Sequence, residues 1–300
     1  MDNRSYQFHG DRMSYIKHKF GKTFYVLHKS KIKNKKTPII FLHGGPGGTH
    51  NYFLPLKGLA KDRDVYMYDQ IGGGESSAIN EKLWTIDTFV EELSLLIKAW
   101  KLDSFILMGA SWGTTLALEY FLEKEDPRIE RIIFQSPLFS TKDWEKDAVG
   151  LIKKLPKNTQ KVINYCHEIE ATDSKVYKQA VFDYYLRHVL RDGKLLRKKS
   201  KKPNISGGKV YEYMWGPSEF KATGTLKTYE RASKLKKLKM PVLLICGEHD
   251  EATPSTVKKY HKMIKQSEFC VIKKASHSIA RENPKALIKA ISDFISSEVH

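Results

Sequence analysis

The sequence has little cysteine and no long apolar run. Its three cysteines, Cys166, Cys246 and Cys270, lie far apart and lack the spacing of metal ligands. This odd, scattered set favours reduced thiols over a disulfide framework. No apolar run approaches the ~20 residues that a membrane-spanning helix needs. The first ten residues, MDNRSYQFHG, are polar and lack the apolar region of a secretory signal. We therefore expect a cytoplasmic protein with no membrane partner.

Acidic side chains are scarce relative to basic ones. The 300 residues include 52 Lys and Arg against 34 Asp and Glu, a formal net charge of +18. Much of the excess lies in residues 29–36, 187–202 and 231–239. A basic surface can bind nucleic acid, but no nucleic-acid motif or series of stacking aromatics accompanies these segments. A solvated lysine-rich surface is therefore the preferred interpretation. No specific nucleic-acid partner is expected, and salt-sensitive binding of a polyanion stays open.

Short apolar runs alternate with segments of helical period over the first half of the chain. The runs lie at 37–45, 64–70, 105–111 and 129–137, after an alternating pattern at 13–28 that predicts a hairpin. Residues 85–100 and 112–124 predict helices between them. Nearly all-apolar strands that alternate with helices predict a parallel, doubly wound sheet covered on both faces, the α/β class.

The pattern changes from about residue 140 to residue 236. This span is lysine-rich, mostly helical in period, and has no convincing buried strand. Strand patterns resume at 240–247 and 268–277, and residues 284–297 predict a closing amphipathic helix. We predict an α/β core of residues 1–139 and 237–300, interrupted by a helical cap at 140–236. Within that cap, residues 204–208, NISGG, predict a flexible loop.

The strongest motif is Gly109-Ala110-Ser111-Trp112-Gly113, which follows the strand FILM and precedes a predicted helix. A G-x-S-x-G sequence needs this strand–turn–helix context to act as a nucleophile elbow. The sharp turn exposes the serine hydroxyl at the cost of backbone strain, so small residues must flank it. The N–H groups of the new helix favour negative charge near the serine. We predict that Ser111 is a catalytic nucleophile.

A glycine-rich loop, HGGPGG at 43–48, follows another predicted strand. It lacks the GK[ST] ending of a phosphate-binding P-loop. An oxyanion loop fits better, with the amide of Gly45 acting beside that of Trp112, and Gly44 is the neighbouring possibility. His43 is interpreted as a structural hydrogen-bonding residue of this loop rather than a base.

The catalytic base should come late in the chain if the order is serine, acid, then histidine. Of the eleven histidines, His277 lies just after the last predicted strand, where a loop can reach the edge from which Ser111 emerges. His261 lies in a lysine-rich helix, and His249 comes too early in the order. We therefore predict that His277 is the base. Its acid should follow the preceding strand, where Glu248, Asp250 and Glu251 crowd together.

Several motifs in linear order resemble the proline iminopeptidase family of α/β-hydrolase serine peptidases, and in particular its tricorn-interacting aminopeptidase branch. The resemblance runs from about residue 13 to the C-terminus. Its motifs are HGGPGG at 43–48, YDQIGGGES at 68–76, GASWGTTLALEY at 109–120, YEYMWGPSEF at 211–220, GEHDEATP at 247–254 and SHSIARENP at 276–284. Two positions depart from the usual pattern. Ala110 stands where glycine is common, and Gly73 where this branch often has cysteine.

The resemblance implies roles for the crowded acids. Asp250 corresponds to the acid of the triad, while Glu251 and Glu219 correspond to residues that bind the free N-terminal amine of the substrate. Two carboxylates near one ammonium agree with what a partly dry amine pocket requires. Tyr211 either lines this pocket or packs the cap onto the core. Glu248 is left with a structural hydrogen bond at the strand end.

The expected function is that of a serine aminopeptidase, which needs no metal or organic cofactor. It would release an N-terminal proline or another apolar residue from short peptides or aminoacyl amides through an acyl-enzyme. One alternative keeps the same triad for an amino-acid amide, an ester or a lactone. A second alternative is a non-catalytic basic protein that binds an acidic partner. A carboxylate-nucleophile hydrolase is disfavoured because serine occupies the elbow. The sequence leaves the oligomeric state open.

Overall fold

Ten strands and ten helices make up the chain in a computed structural model that describes residues 6–8, 11–33, 35–200, 205–217 and 219–297. The strands are β1 (Tyr6–Phe8), β2 (Asp11–His18), β3 (Gly21–His28), β4 (Lys36–Leu42), β5 (Arg63–Tyr68), β6 (Ser77–Ala78), β7 (Phe105–Ala110), β8 (Ile129–Gln135), β9 (Val242–Gly247) and β10 (Ser267–Ile272). The predicted hairpin at 13–28 corresponds to β2 and β3, which pair antiparallel in continuous register.

The helices follow the predicted pattern closely in the first and last parts of the chain. They are α1 (Ile86–Trp100), α2 (Trp112–Lys124), α3 (Thr141–Ile152), α4 (Lys157–Glu168), α5 (Lys175–His188), α6 (Gly193–Ser200), α7 (Ile205–Met214), α8 (Pro254–His261), α9 (Ile279–Glu282) and α10 (Pro284–Ser296). The side chain of Thr85 accepts a hydrogen bond from the Thr88 amide and caps α1. Short 3-10 turns occur at 50–52, 54–61, 81–83 and 232–237.

All ten strands form one sheet in the order β1-β2-β3-β5-β4-β7-β8-β9-β10, with β6 pairing beside β3. The six strands from β5 to β10 along this order are parallel, and the pairs involving β1, β2, β3 and β6 are antiparallel. The chain runs from β4 outward to β5, then returns to the other side of β4 as β7. The carboxyl ends of β4 and β7 therefore border the crevice where ligands bind in open α/β sheets.

Helices cover both faces of the sheet, as the nearly all-apolar strands predict. One face packs against α1, α2 and α8, with Phe89, Leu93 and Leu116 fully buried. The other face packs against the turn at 54–61 and α10, with Leu56 and Ile291 fully buried. This is the mostly parallel, doubly wound α/β architecture that the sequence predicts.

Helices α3 to α7 and the turn at 232–237 lie between β8 and β9, in what we call the helical segment (residues 141–237). It has an apolar cluster of its own that includes Ile163 and Tyr184, distinct from the two clusters on the sheet. None of the helices that the structure describes is long and apolar enough to cross a membrane. The boundaries of core and cap at residues 140 and 236 stay a prediction.

The flexible loop expected at 204–208 is wrong for residues 205–208, which begin α7, while Asn204 lies outside the described residues. Glycine weakens an isolated helix, so the local sequence favours a loop. A tertiary contact opposes that preference. A methyl group on Gly47 of the glycine-rich loop would lie 2.2 Å from the carbonyl oxygen of Gly207. The helix backbone therefore packs directly against the glycine-rich loop, and this approach leaves no room for a side chain at Gly47.

Candidate active site

Ser111 lies in the tight turn between β7 and α2. Its φ and ψ angles are 53° and −123°, a combination that a non-glycine residue rarely adopts. The Ser111 amide donates to the carbonyl of Gln135 on the neighbouring strand, at 2.9 Å. The turn therefore holds a strained backbone in place, as a nucleophile elbow requires.

Glycines beside Ser111 are required by close backbone contacts. A methyl group on Gly109 would lie 2.2 Å from the carbonyl oxygen of Gly113, and one on Gly113 would lie 1.9 Å from that of Leu42. Ala110 is buried and fits in the remaining space. The small-x-Ser-x-Gly pattern therefore has a steric cause in this chain.

The glycine-rich loop lies against the serine. A methyl group on Gly44 would be 3.0 Å from Cβ and 3.6 Å from Oγ of Ser111. Gly44 and Gly45 line the same cavity as Ser111. Trp112 is the first residue of α2, so its amide is among those that lack a partner within the helix. The two predicted oxyanion donors, Gly45 and Trp112, thus belong to segments that meet at Ser111.

His43 is fully committed to structural hydrogen bonds. Its Nε2 accepts from the Gln70 amide at 2.9 Å, so its Nδ1 carries the proton and donates to the Gly44 carbonyl at 2.9 Å. Burial lowers the pKa of His43 and favours this neutral form. The side chain of Gln70 joins the network by donating to the His43 carbonyl and accepting from Nε1 of Trp112. This network ties the glycine-rich loop to α2, in agreement with the structural interpretation of His43.

His277 and Asp250 meet above the sheet. Nδ1 of His277 lies 2.8 Å from Oδ1 of Asp250, which leaves Nε2 as the free ring nitrogen. The carboxylate of Asp250 is buried and also accepts from the amides of Gly247 and Ala252, both at 3.0 Å. His277 and Ser111 line the same cavity. The serine, the histidine and the acid expected from the sequence are therefore brought into one site.

Burial disfavours a charge on His277, but Asp250, Glu219 and Glu282 outweigh this effect, so the pKa of His277 is raised. Asp250 acts through both its charge and its hydrogen bond. A histidine of this kind is a stronger base than a free imidazole and holds a proton well.

Sequence reasoning missed two supports of this pair. The Ser136 hydroxyl donates to Oδ2 of Asp250 at 2.6 Å, and the amide of His277 donates to the carbonyl of His188 at 3.0 Å. His188 ends α5, and its Nδ1 lies 3.1 Å from the carbonyl of His249. No local sequence signal identifies these contacts, because each joins residues more than 50 positions apart.

Glu251 and Glu219 form an acidic pair beside the histidine. Glu251 is almost fully buried, and its Oε1 lies 3.7 Å from Nδ1 of His277. Its Oε2 is buried and receives no hydrogen bond from any donor in the described part of the chain. Glu219 accepts hydrogen bonds from the hydroxyls of Tyr211 and Tyr185. Tyr185 was not among the predicted site residues. Tyr211 was, and its hydrogen bond to Glu219 places it beside the acidic pair.

Burial raises the pKa of both acids. For Glu251 the negative charges of Glu219 and Asp250 add to the effect and raise the pKa well above its usual value. For Glu219 burial also dominates over the hydrogen bond from Tyr211, so its pKa is raised. Like charges in a buried site repel each other and favour a shared proton. A cation placed between them would relieve this repulsion.

Three further residues near the site, Glu248, Trp144 and Tyr213, make hydrogen bonds or packing contacts within the protein. The amide of Lys274 donates to Oε2 of Glu248 at 2.9 Å, which is the hydrogen bond at the strand end that the sequence suggested. Trp144 packs edge-on against Trp215 and against the ring of His277. Tyr213 is partly exposed and packs against Trp84 of the core.

The cavity at Ser111 has a volume of about 670 Å³. Besides the residues of the elbow, the glycine-rich loop and His277, its wall includes Tyr52, Gln135 and Arg281. Neither Glu219 nor Glu251 lines it. The site thus has two sides, an acidic pair near Nδ1 of His277 and an open cavity at Ser111.

Comparisons with known proteins agree with this arrangement. The family model described as alpha/beta hydrolase fold matches residues 37–284. The proline iminopeptidase of Heyndrickxia coagulans is 41% identical over 263 residues, which cover 87% of this chain and 91% of that protein. The proline iminopeptidase of Lactobacillus acidophilus is 36% identical over 252 residues, 82% of this chain and 85% of that protein.

Solved structures give the same picture. The crystal structure of VinJ superimposes with a TM-score of 0.84 at 27% identity, covering 99% of both chains. That of the proline iminopeptidase of Mycobacterium smegmatis superimposes with a TM-score of 0.80, also at 27% identity, covering 98% of this chain and 97% of that one.

Proposed function

Because the chain belongs to the proline iminopeptidase family of α/β-hydrolases, we propose that it is a serine aminopeptidase that releases N-terminal proline or another apolar residue from short peptides. The observation that carries the proposal is the pair of the half-buried Glu219 and the almost fully buried Glu251 beside His277. A generic esterase has no need of two adjacent acids at this position, whereas a free amine does.

In the proposed mechanism Ser111 attacks the carbonyl carbon of the first residue. Nε2 of His277 takes the hydroxyl proton and then donates it to the leaving amine. Asp250 keeps Nδ1 protonated and stabilises the imidazolium through their 2.8 Å hydrogen bond. Water then attacks the acyl-enzyme with His277 again as the base, and release of the free residue regenerates Ser111.

The oxyanion of each tetrahedral intermediate is assigned to the amides of Gly45 and Trp112. The fit of the glycine-rich loop against Ser111 and the position of Trp112 at the start of α2 support this assignment. Amides held in place by the network of His43 and Gln70 need no reorganisation as charge develops on the oxygen.

The substrate amine is assigned to Glu219 and Glu251. An ammonium supplies donors to the orphaned Oε2 of Glu251 and offsets the repulsion between the two acids. Since Glu251 is one residue from Asp250 and 3.7 Å from His277, the amine is held close to the scissile bond. Only one residue fits between amine and bond, which makes the enzyme an exopeptidase.

The direct test compares a prolyl chromogenic amide with its N-acetylated counterpart. We expect turnover of the free amine and a loss of at least about 100-fold on acetylation, since acetylation removes the charge and leaves Glu219 and Glu251 without a cationic partner. Equal turnover of the free and the N-acetylated substrate would show that the site does not recognise the amine. Neutral esters cleaved faster than either would instead favour an esterase with the same triad.

A further inference from the structure

Arg281 is a cationic side chain in the catalytic cavity to which the mechanism above gives no task. It belongs to α9, directly after His277, and its side chain lies in the cavity wall with Ser111 and Tyr52. Among the described residues that line the cavity, it is the one Lys or Arg. A guanidinium side chain that lines the same cavity as the predicted nucleophile is a candidate for recognition of a substrate anion.

The guanidinium has a buried nitrogen without an acceptor. Nε of Arg281 has no hydrogen-bond partner among the residues that the structure describes, although the adjacent Glu282 could have supplied one. Glu282 is used elsewhere, since it accepts from the amides of Arg191 and Ser276 and from the Ser276 hydroxyl. A buried unpaired donor is costly, and a carboxylate offers two oxygens to satisfy it.

A second unpaired polar atom lies in the same wall. The hydroxyl of Tyr52 donates to the carbonyl of His277 at 3.3 Å and therefore accepts from Nε2 of Gln135 at 2.6 Å. This fixes the orientation of the Gln135 amide group, and its Oε1 remains buried without a donor in the described part of the chain. The wall thus has an unpaired donor at Arg281 and an unpaired acceptor at Gln135. Both are suited to a polar ligand with an N–H group and a carboxylate.

The two sides of the site separate the two parts of a peptide. The acidic pair lies near Nδ1 of His277 and outside the cavity, so the amine and the first residue extend that way from Ser111. The leaving group extends the other way, into the cavity that holds Arg281. The acid at its rim, Glu75, is exposed and therefore weakly placed to neutralise the half-buried Arg281.

We propose that Arg281 binds the free C-terminal carboxylate of the leaving group, so that the enzyme prefers short peptides with a free C-terminus, dipeptides first. This proposal rests on the proposed aminopeptidase function and adds a recognition element on the leaving-group side. The substrate carboxylate is bound both before and during the reaction. A substrate that lacks it should therefore show a higher KM, with a smaller decrease in kcat.

The test uses the full-length protein and three substrates: the dipeptide Pro-Ala, its C-terminal amide Pro-Ala-NH2, and a prolyl chromogenic amide with no carboxylate. In the wild type we expect kcat/KM for Pro-Ala to exceed that for Pro-Ala-NH2 by about 10- to 100-fold. In R281Q this ratio should fall to about one, mainly through KM, and R281K should restore part of it. R187Q, which removes an exposed arginine outside the cavity, is the matched control and should keep the wild-type ratio.

Each outcome separates the two proposals. Equal kcat/KM values for Pro-Ala and Pro-Ala-NH2 in the wild type, or an R281Q variant that keeps the preference, would overturn the role of Arg281 and leave the aminopeptidase intact. Absence of turnover for all three prolyl substrates would overturn the proposed function, and this inference with it. The wild-type ratio needs no variant, so the test stands even if R281Q folds poorly.

Discussion

The sheet and the helical segment contribute to the same site in different ways. The sheet supplies Ser111 and Asp250 after β7 and β9, whose residues are all buried, and His277 from the loop after β10, an edge strand that is mostly half-buried. The helical segment supplies Glu219, and Tyr185 and Tyr211 that bind it, from an element with its own small apolar cluster.

In the proposed mechanism the sheet carries the reacting groups, which need positions held within fractions of an ångström. Recognition of the amine is divided between the two parts, because Glu251 lies in the loop after β9 and Glu219 in the turn after α7. The two parts are joined by backbone bonds, since the amides of His277 and Ser278 donate to the carbonyls of His188 and Val189.

Of the changes considered, removal of the predicted nucleophile from the sheet should lower activity the most. Ser111→Ala should lower kcat on a prolyl chromogenic amide by on the order of 10⁴-fold or more, because the acyl-enzyme cannot form. Ser77→Ala, at an exposed serine, is the control and should leave kcat unchanged. A serine-reactive fluorophosphonate should label the wild type and the control but not S111A, and labelling of S111A would place the nucleophile elsewhere.

Cavities made in the two apolar clusters should show whether the parts unfold together. Leu244→Ala in the sheet and Ile163→Ala in the helical segment each remove a fully buried side chain and should cost about 2–5 kcal/mol. Hydrogen exchange should accelerate throughout the chain in L244A. In I163A we expect acceleration in α4 and α5 with little change in β9, since Ile163 belongs to a separate cluster. Uniform acceleration in both variants would contradict two separable parts.

Removing one acid of the pair should affect recognition while sparing the chemistry. Glu219→Gln and Glu251→Gln should each lower kcat/KM for a free-amine substrate by about 10- to 100-fold, because each removes a charged partner of the ammonium. Turnover of a neutral ester should change by less than about threefold. Glu212→Gln, on the exposed side of α7, is the matched control. Equal losses on amine and ester would mean that the pair supports folding or His277 rather than the amine.

The smallest expected effect is on the pH profile, measured with a neutral ester whose own charge does not change. The pKa of His277 is raised by its acidic neighbours, so the acidic limb of kcat/KM should have its midpoint above 6.5, the ordinary value for histidine. Glu219 stabilises the imidazolium, and its removal lowers that pKa. The limb in E219Q should therefore move to lower pH. A limb that stays in place, as it should in the E212Q control, would show that the charge of Glu219 does not reach His277.

Local sequence patterns predicted the strands and helices of the α/β core well. They were less successful at one place in the helical segment. The helices predicted at 85–100 and 112–124 correspond to α1 and α2 almost residue for residue, because capping, periodicity and glycine placement all act within a few positions. The prediction of a loop at residues 205–208 was wrong, because close packing of Gly207 on Gly47 outweighs the helix-weakening effect of glycine. Interactions across 160 residues leave no local signal.

The sequence by itself determined the elbow around Ser111 and the order of serine, acid and histidine along an alternating α/β chain. These follow from sterics and periodicity, which are local. Only the tertiary structure decided how the charges of Glu219 and Glu251 act on each other, that Ser136 supports Asp250, and that Arg281, whose Nε lacks an acceptor among the described residues, lines the catalytic cavity. The physical reason is that the energy of a buried charge depends on every group folded around it, and that set exists only once the chain has folded.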